Sequence, residues 1–218
     1  MVYLIKNEEG IVVPPKKMLK IMRENNLQSA VRRKKYSEEV YANRRKMKEQ
    51  VPGDLLNRWF FAMRPYQVFT ADITYLLCKE QTMYLNTIID LFNREVVAWL
   101  ISDHPNSILC IQTVIQLHKA VGEELDGSIM HTGLGLTYLS YRYKETLLQF
   151  GMRQSCGSRA DVYDNAAMES FNSILKTESL YCRFSKTAVV NRRIERKEMI
   201  AAVTEFIPYY NNDMELMQ

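Results

Sequence analysis

The chain has 218 residues, 47% of them hydrophobic, enough to bury a full core in one domain with an appendage. Its apolar runs are all short of the ~20 residues a membrane helix needs, and Met1–Lys6 is too brief and too soon charged for a secretory leader, so the expected setting is cytoplasmic. The net charge of +4 is unevenly placed: residues 1–60 carry 14 Lys and Arg against 7 Asp and Glu, whereas residues 61–218 carry 15 against 18. A basic arm on a nearly neutral body suits a partner of dense negative charge, most simply nucleic acid. Cys78, Cys110, Cys156 and Cys182 are widely spaced, without metal-ligand or C-x-x-C spacing, and read as reduced thiols.

Val13-Pro14-Pro15 breaks the opening run, and Met18, Leu19, Ile21 and Met22 then recur at helical spacing until Asn25-Asn26 offers a stop. The run Arg32-Arg33-Lys34-Lys35 can neutralise phosphates without reading sequence. Residues 37–50 are polar and charged, a helix or an extended linker, and Pro52-Gly53-Asp54 punctuates the boundary. Strands are expected over 68–77, 83–92 and 95–101, with Asn93-Arg94 as the hairpin turn. A helix over 107–121 ends at Gly122, a short strand follows over 128–131, and a helix over 138–150 closes at Gly151. Residues 152–156 give a fifth strand and 157–163 a loop, after which Asp164 can cap a helix carrying Glu169. An amphipathic helix is expected over 191–210. Periodicity by itself gives a mixed α/β domain.

Three stretches carry more than periodicity. Thr70-Ala71-Asp72-Ile73-Thr74-Tyr75-Leu76 sets a lone acid within a strand. His131-Thr132-Gly133-Leu134-Gly135-Leu136-Thr137-Tyr138-Leu139-Ser140 follows, and then comes Asp164-Asn165-Ala166-Ala167-Met168-Glu169-Ser170-Phe171, running on to Leu175-Lys176-Thr177-Glu178. Together they resemble the catalytic core of bacterial insertion-sequence transposases of the retroviral-integrase (DDE) superfamily. That family reads W-x-x-D-I-T-Y, H-S-D-x-G-x-x-Y-x-S and D-N-A-x-x-E-S-F-x-x-x-L-K-x-E around its three acids. Leu55–Phe61 is similar to the family's lead-in, Pro15–Leu27 to its preceding helical segment, and Phe206–Asn212 to its Y-I-x-F-Y-N-N close. The resemblance implies a ribonuclease-H-like, mixed five-stranded sheet flanked by helices, whose order βββαβαβα is also that of the runs above. It divides the chain into a basic helical segment and linker (1–54), an integrase-like core (55–212) and a tail at 213–218 that departs from the family and reads as truncated.

The resemblance also implies the chemistry. Cleaving and rejoining phosphodiesters uses two Mg²⁺ (or Mn²⁺) ions about 3.5–4 Å apart, held by hard oxygen ligands drawn from distant segments. Asp72 and Glu169 stand at the first and third acid positions, as catalytic and metal-binding residues. An unpaired carboxylate inside a strand is costly, so Asp72 is paired, a ligand, or on an edge strand facing water. The second acid position is Gly133, separated from Glu169 by the 35 residues that mark the superfamily, so the acid is replaced without insertion or deletion. Asp126 and Asp90 are conceivable substitutes, the first before the fourth strand and the second in the middle of the second strand. Lys176, two turns beyond Glu169, either contacts substrate phosphate or is solvated. His131 reads as a packed or orienting residue, not a metal ligand, and His104 and His118 lack partners at ligand spacing.

Two functional readings follow, with DNA (element ends and target) as partner in both. In one, the chain is a transposase that cleaves and transfers DNA strands, impaired at Gly133. In the other it is an inactive DNA-binding or subunit-pairing remnant. A general ribonuclease-H-like nuclease is disfavoured by the D-N-A-x-x-E-S-F block. Further expected partners are copies of itself on DNA and a separate helix-turn-helix protein from an upstream frame; the expected place is the nucleoid.

Overall fold

In this computed structural model, residues 13–25, 51–57, 59–157 and 165–213 are described. The chain forms two compact units, Met1–Ala42 and Asn43–Gln218. Within the first lies helix α1, Pro15–Glu24. Proline opens it where no intrahelical N–H is needed, and the Asn25 Nδ2 donates to the Ile21 carbonyl at 2.9 Å to close it. Arg32, Arg33, Lys34 and Lys35 lie outside the described residues.

The second unit is built on five strands: β1 Val68–Leu77, β2 Thr82–Asp90, β3 Val96–Ser102, β4 Ile129–Thr132 and β5 Arg153–Cys156, in spatial order β3-β2-β1-β4-β5. The first three form an antiparallel meander, and β4 and β5 add parallel to β1. The parallel additions need crossovers, supplied by helices α2 (Ser107–Val121) and α3 (Tyr141–Gln149). Side chains alternate across the sheet and sort the core into two layers. Phe69, Ala71, Ile88 and Ala98 pack against α2 and α3 with Val114, Leu117, Tyr143 and Leu147. Leu76, Met83, Leu85 and Ile89 pack on the other face against helix α4 (Ala166–Ile174) and the closing helix α7 (Arg196–Asp213). This is the ribonuclease-H-like architecture expected.

The expected bounds hold for β1 and α2 and shift elsewhere. The second strand stops at Asp90, not at residue 92, because the Asp90 carboxylate turns back to accept from the Tyr66 N–H at 2.8 Å and the Phe92 N–H at 3.0 Å. Asp90 thus ends its strand instead of occupying the middle. Arg94 sits in the turn at a φ of 67°, and Asn93 ties it down through its side chain to the Glu95 N–H. Helix α3 starts at Tyr141 because Ser140 caps it, its Oγ accepting from the Tyr143 N–H. The final helix begins at Arg196, five residues later than expected. Four elements differ from the expected set: a 3-10 turn at Gly122–Leu125, a π-type stretch at Leu175–Tyr181, the single turn α5 at Cys182–Phe184, and α6 at Lys186–Val190, capped by the Ser185 hydroxyl. Among the described residues no helix is long and apolar enough to cross a membrane.

Candidate active site

The site is assembled where α4 crosses the sheet. Asp72 lies midway along β1 and pairs with Thr87 of β2, so both occupy the face that carries α4. Asn165 precedes α4. Its side chain does not cap the helix; the Thr70 hydroxyl donates to Asn165 Oδ1 at 2.6 Å, which fastens the start of α4 to β1 two residues before Asp72.

Two stripes run along this helix and its π-type continuation. Met168, Phe171 and Leu175 are fully buried in the core layer. Glu169, Asn172 and Lys176 share the same spacing on the adjoining stripe. The Asn172 Nδ2 donates to Asp72 Oδ2 at 3.2 Å, which orients that stripe toward β1. The charges of Glu169 and Lys176 both act on Asp72. Burial pushes the Asp72 carboxyl above its usual value. Hydrogen bonds from the Ile73 N–H and Asn172, and then the Lys176 charge, pull it back, while the Glu169 carboxylate adds to the rise.

Gly133 follows β4, whose register with β1 ends at Ala71 opposite Thr132. Gly133 is thus the residue after Thr132, as Asp72 is the residue after Thr132's partner Ala71. A Cβ built on Gly133 meets no atom within 4 Å, and its φ lies outside the left-handed region. Neither space nor backbone requires glycine there, unlike Gly151, whose φ of 69° and contact with Asp126 exclude a side chain. Asp126 stands before β4 and Gly133 after it, so the strand separates them and Asp126 does not fill the gap. Asp90, fully buried and engaged by two backbone N–H groups, pairs with Phe69 and does not fill it either.

Of the residues expected from sequence, Glu169 and Lys176 lie near enough to Asp72 for their charges to act on it, and Gly133 follows the strand that pairs with β1. Arg32–Lys35 and the expected cap Asp164 lie outside the described residues. His131 is packed in the interior: its Nδ1 is 2.9 Å from the Ser155 hydroxyl oxygen, which accepts from the Leu55 N–H, and its ring meets Phe60 edge-on at 5.3 Å. His118 stacks on Phe150. Among the described residues no three His, Cys, Asp or Glu side chains converge as a metal-binding group. Thr70, Asn165 and Asn172 were missed from the sequence; the helical spacing of Asn172 from Glu169 was the available signal.

The donor set is two carboxylates and the carbonyl oxygen of Asn172, which is buried without a hydrogen-bond partner. Hard oxygens of this kind suit Mg²⁺, which is commonly held by one or two carboxylates together with substrate phosphates.

A strand-order 3-2-1-4-5 sheet with an acid on β1 and another on the helix after β5 is an arrangement of the ribonuclease-H-like class. Residues 62–161 match the Integrase core domain family. The chain is 36% identical over 176 residues to the transposase for insertion sequence element IS904 of Lactococcus lactis, covering 80% of this chain and 67% of the relative. It is 30% identical over 213 residues to an uncharacterized transposase-like protein of Haemophilus influenzae, covering 95% and 89%. The fold is shared with a chain of the simian T-cell lymphotropic virus intasome solved in complex with PP2A regulatory subunit B56 gamma. There the TM-score is 0.53 at 20% identity, over 70% of this chain and 51% of the viral one. The chain belongs to the bacterial insertion-sequence transposases of the DDE integrase superfamily.

Proposed function

We infer that this chain engages the DNA of an insertion element through its integrase core, and that its cleavage and strand-transfer chemistry is impaired by the glycine at position 133. The single observation that supports this reading is the open space at Gly133, one residue past the Thr132–Ala71 pair of β4 and β1, with Asp72 the next residue along β1. Asp72 and Glu169 would hold a Mg²⁺ or Mn²⁺ ion. When bound, such an ion offsets charge on the phosphate oxygens and lowers the pKa of water.

The remaining roles belong to the chain's own side chains. Lys176 would neutralise a phosphate next to the carboxylates, and Arg32, Arg33, Lys34 and Lys35 would add sequence-independent phosphate contacts. Residues 1–54 would serve as the basic arm and 55–212 as the core. Assembly of several copies on DNA, action at the nucleoid and a helix-turn-helix partner from an upstream frame complete the reading.

Cleavage and strand-transfer assays on duplexes bearing the inverted repeats that flank the gene test it, in Mg²⁺ and in Mn²⁺. The wild-type chain should give trace product, and Gly133→Asp should raise it by about a hundredfold or more, a barrier change of about 2.7 kcal/mol. A wild-type rate unchanged by Gly133→Asp would refute impairment at that position. The lack of a three-ligand group among the described residues favours a second reading, a remnant that occupies ends without cutting. Tight end binding with no product from either form would select it.

A further inference from the structure

The surface formed by α5, α6 and the start of α7 uses its cations in two ways. Arg183 pairs with Glu205, Arg196 with Asp103 and Lys197 with Glu195. Two further acids are engaged by backbone: Glu80 accepts from the Arg196 N–H and Glu198 from the Glu195 N–H. Lys79, Lys186, Arg192 and Arg193 are exposed on the same surface, and among the described residues none of the four forms an ion pair. Backbone contacts gather them instead. The N–H groups of Asn191, Arg192 and Arg193 donate back to the Thr187, Val189 and Ala188 carbonyls of α6, over the buried Val189 and Ile194. The Lys79 N–H donates to the Ile194 carbonyl at 2.8 Å, which brings Lys79 alongside Arg193. Arg192 holds the turn at a φ of 55°, where asparagine or glycine is the usual occupant, and its charge reaches Cys78, the residue after β1. Residues 61–218 carry 15 Lys and Arg against 18 Asp and Glu, so a cationic surface here is no by-product of composition. Like charges gathered without acids repel one another, a cost that a bound polyanion reverses.

We propose that Lys79, Lys186, Arg192 and Arg193 form a phosphate-binding surface for duplex DNA on the flank of the core reached from Asp72 along β1. Asp72 and Leu77 are five residues apart on that strand, about 17 Å at its rise, the length of roughly five base pairs. A duplex presents one charge per ~1.7 Å, which suits four grouped cations; a second copy presents only a small acidic surplus spread over its body. Contacts of this kind hold the duplex in place without reading its sequence. The inference rests on the reading that the core engages DNA.

Fluorescence anisotropy of a labelled duplex bearing the element's inverted repeat tests it, titrated with the full chain at roughly 50 to 200 mM potassium chloride. Wild type is compared with the triple variant Lys186→Gln, Arg192→Asn, Arg193→Gln, in which asparagine keeps the left-handed turn. Lys119→Gln on α2, across the sheet, is the control. The triple variant should lower the slope of log affinity against log salt by about 2 to 3 and weaken binding by about tenfold or more, with far-ultraviolet dichroism unchanged. The control should change neither. Should the triple variant misfold, Lys79→Gln with Lys186→Gln, both in ordinary backbone, takes its place with an expected fall in slope of about 2. A wild-type chain that binds while the folded variant keeps its slope overturns the proposal and leaves the DNA reading standing. A wild-type chain that binds no duplex ends both. A variant that binds DNA as wild type does but loses self-association in sedimentation velocity assigns the surface to a second copy, and that too overturns the proposal.

Discussion

Two aspartates on adjacent strands show how differently one sheet can use an acid. Asp90, at the end of β2, is fully buried and spends its carboxylate on backbone: Tyr66 and Phe92 each donate an N–H to it, from either side of the meander. Asp72, in the middle of β1, is partly buried and looks to side chains of a distant helix: an amide, a carboxylate and an ammonium. The first arrangement is complete without a ligand and pins two loops. The second has a carboxyl raised by burial and by its neighbouring acid, with unpartnered polar atoms on Asn172 and Thr87 around it. A complete network stabilises; an incomplete one is reserved for something that binds.

The largest expected effect belongs to the complete network. Asp90→Ala strands two buried or half-buried N–H groups and should cost about 3 kcal/mol, read as a lower denaturant midpoint at unchanged slope. Cation binding should change little, since Asp90 pairs away from Asp72. A loss below about 0.5 kcal/mol would mean that water or other groups replace the carboxylate readily, and the contrast would weaken.

Asp72→Asn should act with the opposite sign. A carboxyl whose folded value is raised favours the fold fully below its unfolded value and loses that contribution as pH rises through its folded value. At neutral pH the ionised, partly buried acid is therefore a burden. The asparagine variant should melt a few degrees higher there, while failing to take up Mg²⁺. The advantage should fade as pH drops below the ordinary value of 3.8. A variant no more stable at pH 7 than at pH 3, relative to wild type, would show that the burial of Asp72 carries no strain.

The smallest effect is expected at the vacant position. Gly133→Asp meets no atom, so packing should be unaltered. Its charge would join those of Asp72 and Glu169, a mild destabilisation at low salt that added Mg²⁺ reverses. Destabilisation that persists with the cation present would indicate a steric conflict instead.

These contrasts also mark what could be read from the residues beforehand. β1 and α2 are bounded as expected, because alternation, a capping Asn106 and a closing Gly122 leave no competing frame. Motif and spacing single out Asp72 and Glu169, and the charge of Glu169 does act on Asp72. The second strand was drawn two residues too long because 91–92 are as apolar as what precedes them; only the tertiary reach of Asp90 to Tyr66 ends it. The π-type stretch at Leu175–Tyr181 left no mark, since i→i+5 pairing has no composition of its own and arises where packing inserts a residue. Asn172 was overlooked for a related reason. An asparagine within a helix is unremarkable until the strand beneath it presents an acid.

Anomalous diffraction from crystals grown in MnCl₂ tests the central claim most directly, because it locates the cation without assuming turnover. The account predicts one peak bounded by the carboxylates of residues 72 and 169 in the wild-type chain, and a second beside it once residue 133 is aspartate. A wild-type crystal with no peak there, or with its manganese bound elsewhere while those two side chains point apart, would contradict it.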